Sequence, residues 1–374
     1  MKNIAFIIDE FSPLDGGGFT LQSEILIELS KRNLERYDKK FFYNGKNNHL
    51  EKIIKNKKKI FYFKSNTIFD FLKIILKNFF PVRNWNTVLD SHLKKNDIDL
   101  AIFIGSSSYQ INTKYIATCW DLMHLTHKHF KEFKNKKNWL IRYFNNKFTY
   151  KNAHKIIIGT QVGINDIVKF YSIPKKKLVK IPHPTPSFYL KNFQFDKRII
   201  QGKYILYPAQ FWEHKNHILL IEFMKIIKSI DFDLKLILVG SDKGELEVIK
   251  NKIDQFQLEN HIYIKGFVEM NELANLYKYA HAMVYPSHCG PENLPPLEAM
   301  AMKCPAIVSD IPGHREQLMD AVLYFKPNDP MSLLDVLNFL ENKENRLNFI
   351  NKGFKRAQKF KIENYVDELI NIPQ

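Results

Sequence analysis

Residues 285–316, YPSHCGPENLPPLEAMAMKCPAIVSDIPGHRE, restrict the fold more than any other part of the chain. An apolar strand, AMVYPS, runs into a turn rich in Gly and Pro, and a short helix opens near Pro296-Leu297-Glu298. The helix stops before Lys303-Cys304-Pro305, because the residue ahead of a proline is pushed out of helical geometry. A second strand, AIVSD, follows and ends in the loop IPGHRE. Strand, tight turn, helix and strand in so few residues make a compact βαβ unit. Its turn falls where open α/β sheets take ligands, beyond the carboxyl ends of their strands.

These residues carry a resemblance. PPLEAMA, CPAIVSD and IPGHRE resemble the donor-binding segment of retaining glycosyltransferases of family 4, enzymes of the GT-B fold. In that family a Glu of this helix holds the ribose hydroxyls of a sugar nucleotide, and Glu298 falls on that position. The preceding turn offers amides to the diphosphate, a helix N-terminus acting on an anion. Asn293, Leu294 and Pro295 match it, although Pro295 has no N–H to give. The family pattern also has an earlier Glu, which contacts the transferred sugar or helps stabilise charge. Here that position is Gly290. Glu292 would replace it only with a different turn, and is read as a solvated loop carboxylate.

The chain's 374 residues exceed one core and predict two domains of ordinary size. A hydrophobic content of 45% excludes wholesale disorder. Cys119, Cys289 and Cys304 show neither metal-ligand spacing nor an even disulfide framework, which fits a reducing cytoplasm. No run of 18 apolar residues predicts a membrane span, and Met1 leads straight into a strand with no cleavable signal. The charge is uneven. Residues 1–190 hold 33 Lys/Arg against 15 Asp/Glu, whereas residues 191–374 hold 23 against 24. A genome that writes Lys freely would act on both halves, so the asymmetry points to an anionic partner of the first half.

The chain opens with the strand NIAFII, then Gly16-Gly17-Gly18 and an amphipathic helix, an anion-binding arrangement. GGG alone is a weak signal: it has neither GxGxxG spacing nor the GK[ST] of a P-loop. The resemblance implies a Gly-rich loop that closes over the donor, with Gly17 and Gly18 in it. Residues 41–110 alternate short strands with helical stretches, as in a doubly wound sheet. Within them Ile68, Phe71, Leu72, Ile75 and Phe79 recur at helical spacing beside Lys73 and Lys77. That reads as a membrane-surface helix or as a core-facing helix with solvated lysines. The segment 128–151 repeats the theme, with Trp139, Tyr143 and Phe144 amid lysines.

ATCWDLMHLTH resembles the family's acceptor-side loop, which has His-Asp-Leu. Asp121 and Leu122 match, Trp120 stands where the His would be, and His124 is the nearest replacement. His124, His127 and Asp121 are not read as a metal site. In IPHP, His183 is read as a plain loop residue, ahead of a candidate linker at 187–202. The turn after YILYPA resembles the place where an Arg and a Lys meet the donor diphosphate. Lys215 matches the Lys, and Gln210 stands where the Arg would be. Gly266, Phe267 and Val268 match the loop that holds the base, while Gly240 is either a turn near the diphosphate or a structural glycine.

The expectation is an α/β chain of GT-B type, two Rossmann-like doubly wound domains facing across a cleft. Residues 1–190 form the acceptor domain and 191–355 the donor domain, with 356–374 crossing back to the first. The resemblance implies sugar transfer, with retention, from a GDP- or UDP-linked donor and without a metal. Lys215, Asp121 and His124 carry the chemistry, and Glu298, Asn293, Leu294, Gln210, Gly266, Phe267, Gly17 and Gly18 hold the donor. The expected acceptor is a lipid-linked or polysaccharide glycan at the cytoplasmic membrane face, in bacterial surface polysaccharide synthesis. A non-catalytic GT-B subunit is the alternative, on the strength of Gly290, Gln210 and Trp120. A nucleic-acid binder would explain the charge but has no recognition motif.

Overall fold

The computed structural model describes residues 2–9, 12, 16–34, 37–45, 54, 59–64, 87–107 and 111–372. The aromatic, lysine-bearing stretch 65–85 lies outside the described residues. The chain divides into two compact units: residues 1–128, 133–182 and 363–374 make the first, and 129–132 with 183–362 the second.

The first unit is built on a seven-stranded sheet of β1 (Lys2–Ile8), β2 (Tyr37–Asn44), β3 (Ile60–Phe63), β4 (Leu100–Phe103), β5 (Tyr115–Cys119), β6 (Lys155–Ile158) and β7 (Leu178–Lys180). The strands run in the order β3-β2-β1-β4-β5-β6-β7, every pair parallel. Strands buried on both faces need unbroken apolar runs, and AFII, LAIF and YIATC supply them. Side-chain oxygens start the helices that cross between them. Thr87 and Asp90 close a capping box on Val88–Lys95, Asn135 caps Lys136–Asn152, and Thr160 caps Gln161–Tyr171.

The second unit has six parallel strands, β8 (Tyr204–Pro208), β9 (Lys235–Val239), β10 (Ile262–Ile264), β11 (Ala282–Tyr285), β12 (Ala306–Ser309) and β13 (Leu323–Phe325). Their order is β10-β9-β8-β11-β12-β13. The strand order reverses between β8 and β11, and between β1 and β4 in the first unit. Such switch points leave a crevice at the carboxyl edge of a doubly wound sheet. The helix Leu294–Ala301 follows β11 and is buried along almost its whole length, which its Ala and Met side chains allow. Among the described residues no helix is long and apolar enough to cross a membrane.

Candidate functional site

In the second unit the turns after β8 and β11, on the two sides of the switch point, bring Lys215 and Asn293 together. Lys215 Nζ donates to the Tyr285 hydroxyl at 2.8 Å and to Asn293 Oδ1 at 3.2 Å, and Tyr285 donates to the same Oδ1 at 3.0 Å. The ammonium also lies 5.1 Å from the Tyr285 ring centre. Tyr207, at the end of β8, stands edge-on to Tyr285 and donates to the Lys215 carbonyl at 2.5 Å. Lys215 is thus held as a half-exposed point charge by strand-end hydroxyls.

Asn293 precedes the helix, but its side chain does not cap it. Its backbone N–H donates to Gln317 Oε1 at 3.0 Å, and Pro295 and Pro296 have no N–H. Leu294 is therefore the residue through which the first turn still offers an amide to an anion. Glu298, one turn further in, is buried, and its carboxyl accepts the Tyr277 hydroxyl at 2.8 Å.

Gly290 has a φ of 130°, and a Cβ on it would come within 2.8 Å of Asn293 Nδ2. The place next to the residue that is Glu in the family pattern is therefore filled by the Asn293 amide. Glu292 is not the solvated carboxylate expected from its loop: its side chain is 2% exposed. Its Oε1 accepts the His183 N–H at 2.7 Å, and Oε2 lies 3.4 Å from His183 Nε2. His183 is correspondingly no plain loop residue but the largely covered partner that draws Glu292 away from solvent.

Gln210, at the end of β8, is held by Ser241 Oγ (3.2 Å) and the Trp212 indole N–H (3.1 Å). Gly240 after β9 packs so closely that a Cβ would sit 2.1 Å from the Ala209 carbonyl oxygen, which only glycine tolerates. Its N–H donates to the Gly266 carbonyl at 2.8 Å; beside Gly266 the space is open, and Phe267 is exposed. Residues 129–132 add a contribution the sequence did not signal. The Glu132 carboxylate takes the His214 backbone N–H and pairs with its ring, bracing the residue before Lys215.

In the first unit Gly17 and Gly18 open the helix Gly17–Lys31, and a Cβ on Gly18 would meet the Trp120 ring at 3.2 Å. Asp121 accepts from Arg142 (3.1 Å) and from the Met123 N–H (3.0 Å). His124 is buried with Nε2 3.4 Å from the Tyr171 hydroxyl, and its Nδ1 has no partner among the described residues. Tyr285, Tyr277, His314, Gln317 and Arg142 were not singled out from the sequence. The signal available for the first was a hydroxyl-bearing aromatic ending an apolar strand.

Within each unit burial shifts protonation equilibria, and in the second the shifts are opposed. It lowers His183 and His314 to about 4 and His217 to about 3, and with the Arg142 charge lowers His124 to about 3. It raises Glu298 to about 7 and Glu292 to about 8. The folded state therefore binds fewer imidazole protons than the unfolded chain, so stability is lost as pH falls below about 6.5. It binds more carboxyl protons, so stability is also lost as pH rises from about 4.5 towards 8. Above pH 6.5 only the carboxyl trend remains. From pH 6.5 to 8 the wild-type Tm is expected to fall by ~4 °C, and Glu292→Gln to remove most of that fall. A wild-type Tm that stays level over this range would contradict the assignment.

Two parallel, doubly wound sheets, the second with a tethered lysine and a buried carboxyl beside its switch point, define an α/β protein. Residues 191–356 match the family model described as Glycosyl transferases group 1. The chain has the GT-B fold. The O-antigen chain mannosyltransferase RfbU of Salmonella typhimurium is 28% identical over 195 residues, 52% of this chain and 53% of RfbU. The N-acetylgalactosamine-N,N'-diacetylbacillosaminyl-diphospho-undecaprenol 4-alpha-N-acetylgalactosaminyltransferase of Campylobacter jejuni is 27% identical over 240 residues, 61% of this chain and 62% of that one. The matches thus span between half and two thirds of these curated relatives. Anabaena HepE, solved in complex with UDP-glucose, superposes with a TM-score of 0.71 at 13% identity, over 99% of this chain and 100% of HepE, a likeness of fold.

Proposed function

We propose that the chain is a retaining glycosyltransferase that moves a sugar from a GDP- or UDP-linked donor to an acceptor hydroxyl. The observation that carries the reading is the Lys215–Tyr285–Asn293 cluster at the switch point, with Glu298 one helical turn away. Lys215 neutralises the departing diphosphate as a point charge, and the Leu294 amide adds a donor at the helix start. Glu298 anchors the ribose hydroxyls, with Tyr277 orienting its carboxyl. Gln210 gives an uncharged contact to the diphosphate, and Gly266 and Phe267 border the base. The leaving phosphate takes the acceptor proton, so no protein nucleophile enters, and the resemblance implies that no metal is needed. Gly17 and Gly18 let backbone approach the donor, while Asp121 and His124 belong to the acceptor side.

The test is thermal stability against UDP, GDP, ADP and CMP for the wild type and Glu298→Ala. A ligand that binds only the folded state at 100 times its Kd adds about 2.7 kcal/mol. One nucleoside diphosphate is expected to raise the wild-type Tm and to lose most of that effect in the variant. No shift with any of them would favour the non-catalytic subunit.

The acceptor in this reading is a lipid-linked glycan of bacterial surface polysaccharide synthesis, reached from the cytoplasmic membrane face. Its support is the diphospho-undecaprenol in the name of the Campylobacter jejuni relative, together with the basic first half. The helix Lys136–Asn152 has no acidic residue and exposes Leu140 and Phe144 among its lysines. Anionic liposomes are expected to pellet the protein at low salt and to release it at high salt, as screening requires. A protein that stays in the supernatant at low salt would refute the membrane reading.

A further inference from the structure

We propose that His314 is a positioning residue for Lys215, acting through the side-chain amide of Asn293. The inference rests on Lys215 as the donor-site cation and adds the device that holds it in place.

The orientation follows from donors and acceptors. His314 is fully buried at the start of the helix Pro312–Leu318. Its Nδ1 lies 2.8 Å from the Ser309 carbonyl oxygen, which can only accept, so Nδ1 carries the proton and Nε2 is a bare acceptor. Asn293 Nδ2 donates to that Nε2 at 3.1 Å. The amide is thereby turned with Oδ1 towards Lys215 Nζ and the Tyr285 hydroxyl. In the flipped orientation Nδ2 would face the lysine ammonium, and Oδ1 would face the imidazole lone pair. Only one orientation satisfies all four groups. Burial, which lowers His314 to about 4, keeps the ring neutral and the acceptor in place at working pH.

The consequence lies in how a lysine is used. A free ammonium on four methylenes has many rotamers, and ordering it costs binding free energy. Here Tyr285 and Asn293 take two of its three N–H groups, and among the described residues the third has no partner. Gln210 stands where a second cation would share the diphosphate, so fixing the single ammonium matters more. Tyr285 alone leaves the amide free to rotate, and His314 removes that freedom.

A double-mutant cycle separates positioning from simple structural support. Titration calorimetry would use the nucleoside diphosphate that stabilises the wild type and, as a control, its monophosphate. His314→Phe is expected to weaken diphosphate binding by about tenfold and monophosphate binding by less than about twofold. In a Lys215→Ala background, the same change is expected to cost less than about twofold, because nothing remains to be positioned. His314→Gln, whose Oε1 accepts from Asn293, is expected to stay within about threefold of wild type. If His314→Phe does not fold, Asn293→Ala takes its place in the cycle with the same expectation. Equal losses in the two backgrounds, or equal losses for both nucleotides, would overturn the inference. A wild type that binds no nucleoside diphosphate would instead overturn the donor-site reading beneath it.

Discussion

Lys215→Ala is expected to lower kcat for sugar transfer by about two to three orders of magnitude, the usual loss when one preorganised donor to developing charge is removed. The effect should sit near the upper end of that range. Gln210 is neutral, so the remaining contacts to the diphosphate are an amide side chain and the helix start, and neither carries a full charge. The fold should survive. Tyr285 and Asn293 keep their own 3.0 Å hydrogen bond without the ammonium, and Tyr207 bonds to the backbone of residue 215. Melting temperature should therefore change little while turnover collapses. Lys215→Arg keeps the charge but replaces a compact ammonium by a planar fork that does not fit the contacts to Tyr285 and Asn293, so it should restore only part of the rate. Turnover would be followed by release of the nucleoside diphosphate. A Lys215→Ala variant with more than a tenth of wild-type kcat would remove Lys215 from the proposed chemistry.

Gly290→Glu, which restores the carboxylate of the family pattern, is expected to damage this protein. The φ of 130° at Gly290 is open to glycine and strained for any other residue, at a cost of about 1–3 kcal/mol. The new Cβ would also press on the Asn293 amide at 2.8 Å. The turn cannot easily retreat, since a Cβ on Gly313 would already stand 2.3 Å from the Gly290 carbonyl oxygen, a measure of how closely the two segments pack. Moving Asn293 breaks its bonds to Lys215, Tyr285 and His314 together. We expect Tm to fall by ~5 °C and the nucleotide-dependent shift to disappear. A variant that binds nucleotide as well as the wild type would show that Asn293 is not confined by Gly290. An increased transfer rate would show that the missing carboxylate was a defect.

The candidate site was partly legible. Lys215, Asn293 and Glu298 stood out because the motifs around them resemble those of a known family, and such motifs keep fixed local offsets from an apolar strand or helix that survive any tertiary arrangement. Glu292 and His183 were misread because each looks like a polar loop residue among its neighbours. Their meeting depends on the chain passing residue 183 beside the turn at 292. His314, Gln317 and Tyr277 escaped for a related reason: a buried polar side chain is recognised by its partner, and the partners are far along the chain.

Periodicity, strand-length apolar runs and Gly/Pro punctuation were enough to determine two parallel α/β units, most of their strands, and the edge of the second sheet where a ligand belongs. These are local properties, set by backbone geometry and by the need to bury one face or both. Only the tertiary structure decided which polar atoms face one another: the tether on Lys215, the amide filling the space beside Gly290, and the burial that turns Glu292 and His314 into neutral groups. Hydrogen bonding and desolvation act over a few ångströms in space, whatever the separation in sequence, so this part of the site takes shape only when the strands are assembled.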